Sequence, residues 1–256
     1  MGIVISIGLQ KGGVGKTTTT AIAAHLLSKN SKVLAIDFDP QGNLTQFLTQ
    51  RNIYDFSNST IFEACKARNP RPQIVRITDN LHLLPADDML STFSTWLYQK
   101  KFLDNTTILK ETIDVVKNEY DYILIDLPPN LGELTVNGLC ASDYAVAMLQ
   151  SEPFSYDALD RYISTLSLIQ QKKNSKLILC GILPTLLDSR TIIDSAIIDK
   201  ARIEYDDVMF KTTITRKNRI KEFSITGIRE SSKSDIMALG AYYSFVEELK
   251  YRVNRI

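Results

Sequence analysis

The stretch "IVISIGLQKGGVGKTTTT", Ile3 to Thr20, leaves this chain few architectures to choose from. Ile3–Gly8 is apolar at nearly every position, the signature of a strand buried on both faces. A glycine-rich turn follows at once, and a helical pattern starts near Lys16. Similar apolar runs recur along the sequence: "KVLAID" from Lys32, "LHLLPA" from Leu81, "YILIDL" from Tyr122, "YAVAML" from Tyr144 and "LILCGIL" from Leu177. The segments 16–29, 105–118 and 155–171 between them read as helices. Strands alternating with helices predict an α/β fold, a mostly parallel twisted sheet flanked by helices. In such sheets ligands bind beyond the carboxyl ends of the strands.

Composition sets few further limits. The chain has 256 residues, 44% of them apolar and 23% charged, which suffices for a full core. It shows no internal repeat or linker, and residues 1–256 are expected to form a single domain. The net charge of +1 means that any attraction to nucleic acid must come from a local patch. The three cysteines, Cys65, Cys140 and Cys180, are scattered without metal-ligand or disulfide spacing, which suits a reducing cytosol. No apolar run approaches the roughly 18 residues of a membrane span. A signal peptide is not expected, because the first strand runs directly into the glycine turn. The start "MGIVIS" fits a myristoylation pattern, but a buried strand accounts for it better.

The turn after the first strand is a phosphate-binding loop in its proper context. Gly12, Gly13, Val14 and Gly15 would turn backbone N–H groups onto phosphate oxygens, and the helix N-terminus adds partial positive charge. Lys16 is expected on the β- and γ-phosphates. The Thr17 hydroxyl is expected on Mg²⁺, with Thr18 beside it. The standard pattern requires glycine at position 10, where this chain has Gln10 followed by Lys11. Two further segments carry acidic residues at strand ends. "LAIDFDPQGNLT" holds Asp37 and Asp39, and "YILIDLPPNLGELTVNG" holds Asp126 ahead of a constrained Pro128–Pro129 loop. Asp126 ends its strand as a Walker B carboxylate does, and is expected to bind the Mg²⁺ shell directly or through water.

Together these motifs resemble the ParA/Soj-type partition ATPases, in the superfamily with the deviant "KGGVGKTT" loop that also contains the cell-division-site (MinD-like) ATPases. The similarity runs over essentially the whole chain. The resemblance implies ATP and Mg²⁺ as cofactors, Asp39 as the residue that positions the attacking water, and Asp37 as a group close behind the metal. It implies that Lys11 crosses to the nucleotide of a second subunit, so that ATP drives a sandwich homodimer. Pro184 and Thr185 would edge the base. Arg190 and Arg219 would bind DNA without reading its sequence. The cluster Arg216, Lys217, Arg219 and Lys221 is suited to phosphate contact. One departure stands out: Thr215-Arg216-Lys217 replaces the family's common Pro-Arg-Asn.

The function implied is ATP-dependent segregation of a plasmid or chromosome in the cytoplasm, on the nucleoid. A ParB-like centromere-binding partner would stimulate hydrolysis and so release the DNA. No helix-turn-helix pattern precedes the loop, so no operator-reading domain is expected. The alternative is a membrane-cycling ATPase of the division-site type, since Phe245, Leu249, Val253 and Ile256 recur at helical spacing near basic residues. A final core helix explains that spacing better, and no stable membrane association is expected. A metal-cluster ATPase would need a cysteine partner for Cys140, and none has suitable spacing. His25 and His82 read as helix and strand residues.

Overall fold

All six predicted strands form. The computed structural model describes residues 2–100, 102–151, 155–187 and 192–255. In chain order the main elements are β1 (Ile3–Gly8), α1 (Lys16–Leu27), β2 (Val33–Asp37), α2 (Asn43–Thr49), α3 (Ile61–Ala67), β3 (Val75–Arg76), β4 (Leu81–Leu84), α4 (Phe93–Lys100) and α5 (Ile108–Asp114). They continue with β5 (Tyr122–Asp126), α6 (Glu133–Ala141), β6 (Tyr144–Gln150), α7 (Ser155–Lys172), β7 (Ile178–Thr185), α8 (Ile192–Tyr205), α9 (Asn218–Thr226) and α10 (Lys233–Asn254). The addition to the expected strands is β3, a two-residue antiparallel edge on β4 too short to leave a periodic signal. Helix α5 is shorter than its predicted span. The Asp104 carboxylate accepts the Thr106 N–H at 2.8 Å, an Asx turn that delays the helix start.

Among the described residues the sheet order is β3-β4-β2-β5-β1-β6-β7, with every pairing from β4 to β7 parallel. Right-handed crossovers then decide the layers. The step from β1 to β2 runs one way across the sheet and the step from β5 to β6 runs the other. Helix α1 therefore covers one face and α6 the opposite one. Helices α2 and α10 pack with α1, whereas α4, α5 and α7 pack with α6. The central strands are buried along their whole length, as their unbroken apolar runs require.

Helix α1 lies deep in the molecule. Its small residues Ala21, Ala23 and Ala24 are fully buried, which lets the helix backbone approach the sheet closely. The C-terminal helix α10 starts with a capping box in which Ser232 and Asp235 satisfy each other's backbone N–H groups. Its Phe245, Leu249 and Val253 side chains are buried in the core, so the apolar stripe seen in the sequence is used for packing. Ile256 lies outside the described residues. Among the described residues, no helix is long and apolar enough to cross a membrane.

The outer edge of β7 receives an irregular segment, residues 209–216. Phe210 N–H donates to Ile182 O at 2.9 Å, Ile214 N–H to Pro184 O at 2.9 Å, and Arg216 N–H to Leu187 O at 3.0 Å. The Arg252 and Glu248 side chains of α10 hold this segment from behind. Arg252 donates to the carbonyls of Cys180 (3.0 Å) and Met209 (2.6 Å), and Glu248 accepts the Lys211 and Thr212 N–H groups at 2.9 and 3.1 Å. The segment thereby delivers residues 215–218 to the carboxyl end of the sheet.

The far end of α1 is tied to α10 through Glu230. Its carboxylate meets His25 Nε2 at 2.9 Å and accepts from the Lys29 ammonium and the Tyr243 hydroxyl. Burial alone would raise this carboxyl, but the three hydrogen bonds overcome it and hold it down at about 2, against an ordinary 4.5. A depressed carboxyl contributes stability that is complete above its unfolded value and disappears as the pH falls through its folded value. Glu230→Gln is therefore expected to lower Tm near neutral pH and to flatten the loss of Tm between about pH 5 and pH 2, as read by thermal melts across that range.

Candidate nucleotide site

Parallel register brings the chemical residues together. Ile7 pairs with Asp126 across β1 and β5, and Asp37 pairs with Asp126 across β2 and β5. The glycine loop therefore leaves β1 directly beside two buried carboxylates. Gly15 caps α1 at φ 85°, in the left-handed region that glycine adopts without cost, and no side chain caps the helix. The first-turn N–H groups of α1 are thus left facing the cleft, which suits an anion. Gly42 plays the same part for α2 at φ 62°, where a Cβ would lie 2.4 Å from Ile53 Cγ2.

Lys16 is buried, and its ammonium donates to the Lys11 carbonyl at 2.8 Å. Burial pulls it below the ordinary lysine value, opposed by the charges of Asp126 and Asp39. Asp126 is pushed well above the carboxylate range, chiefly by burial and then by the neighbouring charge of Asp37. The Thr17 hydroxyl donates to its Oδ2 at 2.6 Å and the Thr20 hydroxyl reaches Oδ1 at 3.4 Å. Asp37 is fully buried and, mainly for that reason, raised to about 7. Its Oδ2 accepts both the N–H and the hydroxyl of Thr45, at 2.8 and 2.7 Å, and its Oδ1 accepts the Asp39 N–H at 3.3 Å. Asp37 is thus engaged in holding α2 and Asp39 in place.

Three carboxylates and one ammonium leave an excess of buried negative charge, and a divalent cation is the natural complement. Among the described residues no group of three His, Cys, Asp or Glu side chains is arranged to hold a metal unaided. That donor set suits Mg²⁺, which takes one or two protein oxygens and fills its shell with water and phosphate. Thr17 and Asp126 are the side chains positioned to hold it.

A cleft of about 950 Å³ opens over the loop. Its floor is residues 12–18. One wall comes from Asp39, Gln41 and the α2 residues Asn43, Gln46 and Phe47, and Pro129 adds to the lining. The lining continues with Leu186, residues 215–218 and the α9 residues Ile220, Lys221, Ser224 and Ile225, and α9 packs against α2. Lys11 is half-buried on the loop and is not among the lining residues.

Several predicted site residues stand elsewhere than expected. Pro184 and Thr185 are buried within β7, paired with Leu149 and Gln150, and do not line the cleft. The Thr185 hydroxyl donates to Val14 O at 2.9 Å and so holds the loop. The lining on that side includes Thr215, in the segment where the sequence departs from the family's Pro-Arg-Asn, together with Leu186, at φ 55°, and Asn218, which sequence reading missed. A strand that continues two residues past its apolar run gave no signal of where the edge would fall. Arg216, Lys217 and Lys221, expected on DNA, line the nucleotide cleft; the Lys217 ammonium also donates to Met237 O at 2.6 Å. Arg219 turns away on the other side of α9. Its guanidinium pairs with the fully buried Asp235 at 2.6 Å and with Glu222 at 2.5 Å. Arg190 lies outside the described residues.

Strand, glycine loop, Lys16-Thr17 and buried strand-end carboxylates define a P-loop nucleotide-binding protein with a second loop lysine. A family profile described as an AAA domain matches residues 2–179. The chain is 35% identical over 231 residues to the sporulation initiation inhibitor protein Soj of Bacillus subtilis strain 168, covering 87% of each chain. The crystal structure of cobyrinic acid a,c-diamide synthase from Mycobacterium smegmatis, with bound ATP analog and magnesium, matches with a TM-score of 0.83 at 31% identity. That match covers 96% of this chain and 93% of the other. A plasmid partition protein from Borrelia burgdorferi matches with a TM-score of 0.76 at 25% identity, covering 100% and 99%. The chain belongs to this AAA-domain family, in its Soj/ParA branch.

Two substitutions test the site. Thr185→Val leaves the buried Val14 carbonyl unpaired and is expected to cost about 1–3 kcal/mol in denaturant unfolding and to weaken nucleotide binding. Asp126→Asn is expected to abolish the gain in nucleotide affinity produced by Mg²⁺ while sparing affinity in EDTA, as measured by titration calorimetry.

Proposed function

We propose that this chain is an Mg-ATP-dependent partition ATPase, a switch that moves a plasmid or chromosome. The observation that carries the reading is the buried set Lys16, Asp37 and Asp126 beneath the glycine loop, with the half-buried Thr17 hydroxyl on Asp126 and with Lys11 on that loop outside its own cleft wall. Relatives named as partition proteins support it, as does the diamide synthase structure with its bound ATP analog and magnesium.

Each residue then has a physical task. Lys16, held against the Lys11 carbonyl, is placed to transfer its ammonium to phosphate oxygens. Thr17 and Asp126 hold Mg²⁺, which when bound neutralises phosphate charge. Asp39 stands at the cleft wall, where a carboxylate can orient an attacking water; its own oxygen accepts the Gln41 N–H at 3.0 Å and so fixes its direction. Asp37 anchors that arrangement through Thr45. Lys16 already supplies the cis cation, so Lys11 acts across a two-fold interface on the partner's nucleotide.

DNA binding is read as a property of that dimer. Arg216, Lys217 and Lys221 are exposed at the cleft rim, where the DNA surface and the nucleotide wall share α9. Arg190 joins them on the resemblance alone. Arg219 contributes chiefly by locking α9 to Asp235. A ParB-like partner bound to DNA would stimulate hydrolysis and release the dimer. The buried stripe of α10 argues against a division-site membrane cycle.

Lys11→Ala is expected to bind ATP yet stay monomeric in light scattering, with ATPase activity reduced at least tenfold; parent-like dimerisation would exclude the trans role. Lys221→Glu is expected to lower both ATP affinity and the salt dependence of DNA binding, whereas Arg219→Ala lowers Tm first. Turnover that waits for a cobyrinic acid acceptor, unaffected by DNA, would assign the chain to amide synthesis.

A further inference from the structure

Helix α7 reaches the phosphate loop from outside the nucleotide cleft. Arg161 donates from Nε to Gln10 Oε1 at 2.6 Å, across 151 positions of sequence. Its neighbour Tyr162 is fully buried and presses on the end of β1, where a Cβ on Gly8 would lie 2.5 Å from the Tyr162 hydroxyl. Two successive residues of α7 thus fix the loop at its start, Gly8 and Gln10.

The peptide between Gln10 and Gly12 is held on both flanks. On the cleft side the Lys11 carbonyl accepts the Lys16 ammonium at 2.8 Å. On the outer side the Gln10 side chain is held by Arg161. Just downstream the loop has little to lean on: a Cβ at Gly12 or Gly13 would meet no atom within 4 Å. Those two flanking contacts hold the path of the loop around Lys11, and of the two residues that make them, Lys16 lines the cleft and Arg161 does not.

We infer that Arg161 is a positioning residue for Lys11: through Gln10 it sets the path of the loop so that the Lys11 ammonium is presented toward a second copy of the chain. The inference deepens the proposed ATP-driven dimer and rests on it. A glutamine at position 10 is then a functional choice over the glycine of the standard loop, because glycine offers Arg161 nothing to hold. A charge-assisted hydrogen bond from a guanidinium also fixes angle as well as distance.

The experiment uses the full chain with Arg161→Ala, Arg161→Lys, Gln10→Ala and the Arg161→Ala/Gln10→Ala pair. ADP affinity and Tm report the loop and fold of the single subunit. Light scattering with ATP reports dimerisation. Arg161→Ala is expected to keep parent ADP affinity and Tm within about twofold and 2 °C, and to weaken ATP-dependent dimerisation about tenfold, the scale of one charge-assisted hydrogen bond. Gln10→Ala should match it, the double variant should lose no more than either alone, and Arg161→Lys should recover part of the loss. Parent-like dimerisation by Arg161→Ala overturns the assignment, as does an equal loss of ADP affinity, which would make the contact a general brace of the loop. A parent that stays monomeric with ATP overturns the dimer reading and this inference together.

Discussion

Asp126 lies at the crossing of every constraint in this molecule. It ends the central strand, it is flanked by the ends of β1 and β2, and its carboxylate is buried under Thr17 and Thr20. A carboxylate this deep is costly unless charge or hydrogen bonds answer it. Lys16 and two hydroxyls answer part of that cost, and Asp37 beside it adds to the excess. The sheet therefore folds around a site that is electrostatically incomplete by itself. Phosphate and a divalent cation are the charges that would complete it.

Two chains of contacts lead outward from the site. One runs through Asp37 and Thr45 into α2, which packs against α9 at the cleft. The other runs through the residues 127–132 loop into α6, where Glu133 is held by the Ser94 and Tyr98 hydroxyls of α4, both at 2.8 Å. The first is made by side-chain hydrogen bonds, and the second by the backbone of the loop and then by Glu133. On the opposite side, Arg252 and Glu248 keep the 209–216 segment against β7 and so give the cleft a firm wall.

Much of this was legible beforehand. The strands that carry the site were readable because burial on both faces leaves unbroken apolar runs, and the loop was readable because few residues besides glycine tolerate its backbone. Asp37, Asp39 and Asp126 announced themselves by following such strands. The cleft wall was harder. The sequence places Pro184 and Thr185 on the base edge, yet the strand carries them inside the sheet, and the cleft is lined there by Leu186, Thr215 and Asn218. The basic cluster at residues 216–221 was visible as charge, but helical geometry splits it, with Lys217 and Lys221 on the cleft and Arg219 turned onto Asp235.

Local chemistry written in consecutive residues was therefore set by the sequence alone: the phosphate loop, the acidic strand ends, the capping box of α10 and the alternation that demands a layered α/β fold. Tertiary structure alone decided which distant groups meet. The Asp37–Asp126 register, the Thr185 tie to Val14, the Arg219–Asp235 pair and the Arg161–Gln10 contact join residues that no periodicity relates. The physical reason is that backbone preference and hydrophobic pattern act within a few residues, whereas hydrogen bonds and ion pairs depend on distances that exist only after the strands are ordered and the helices are packed.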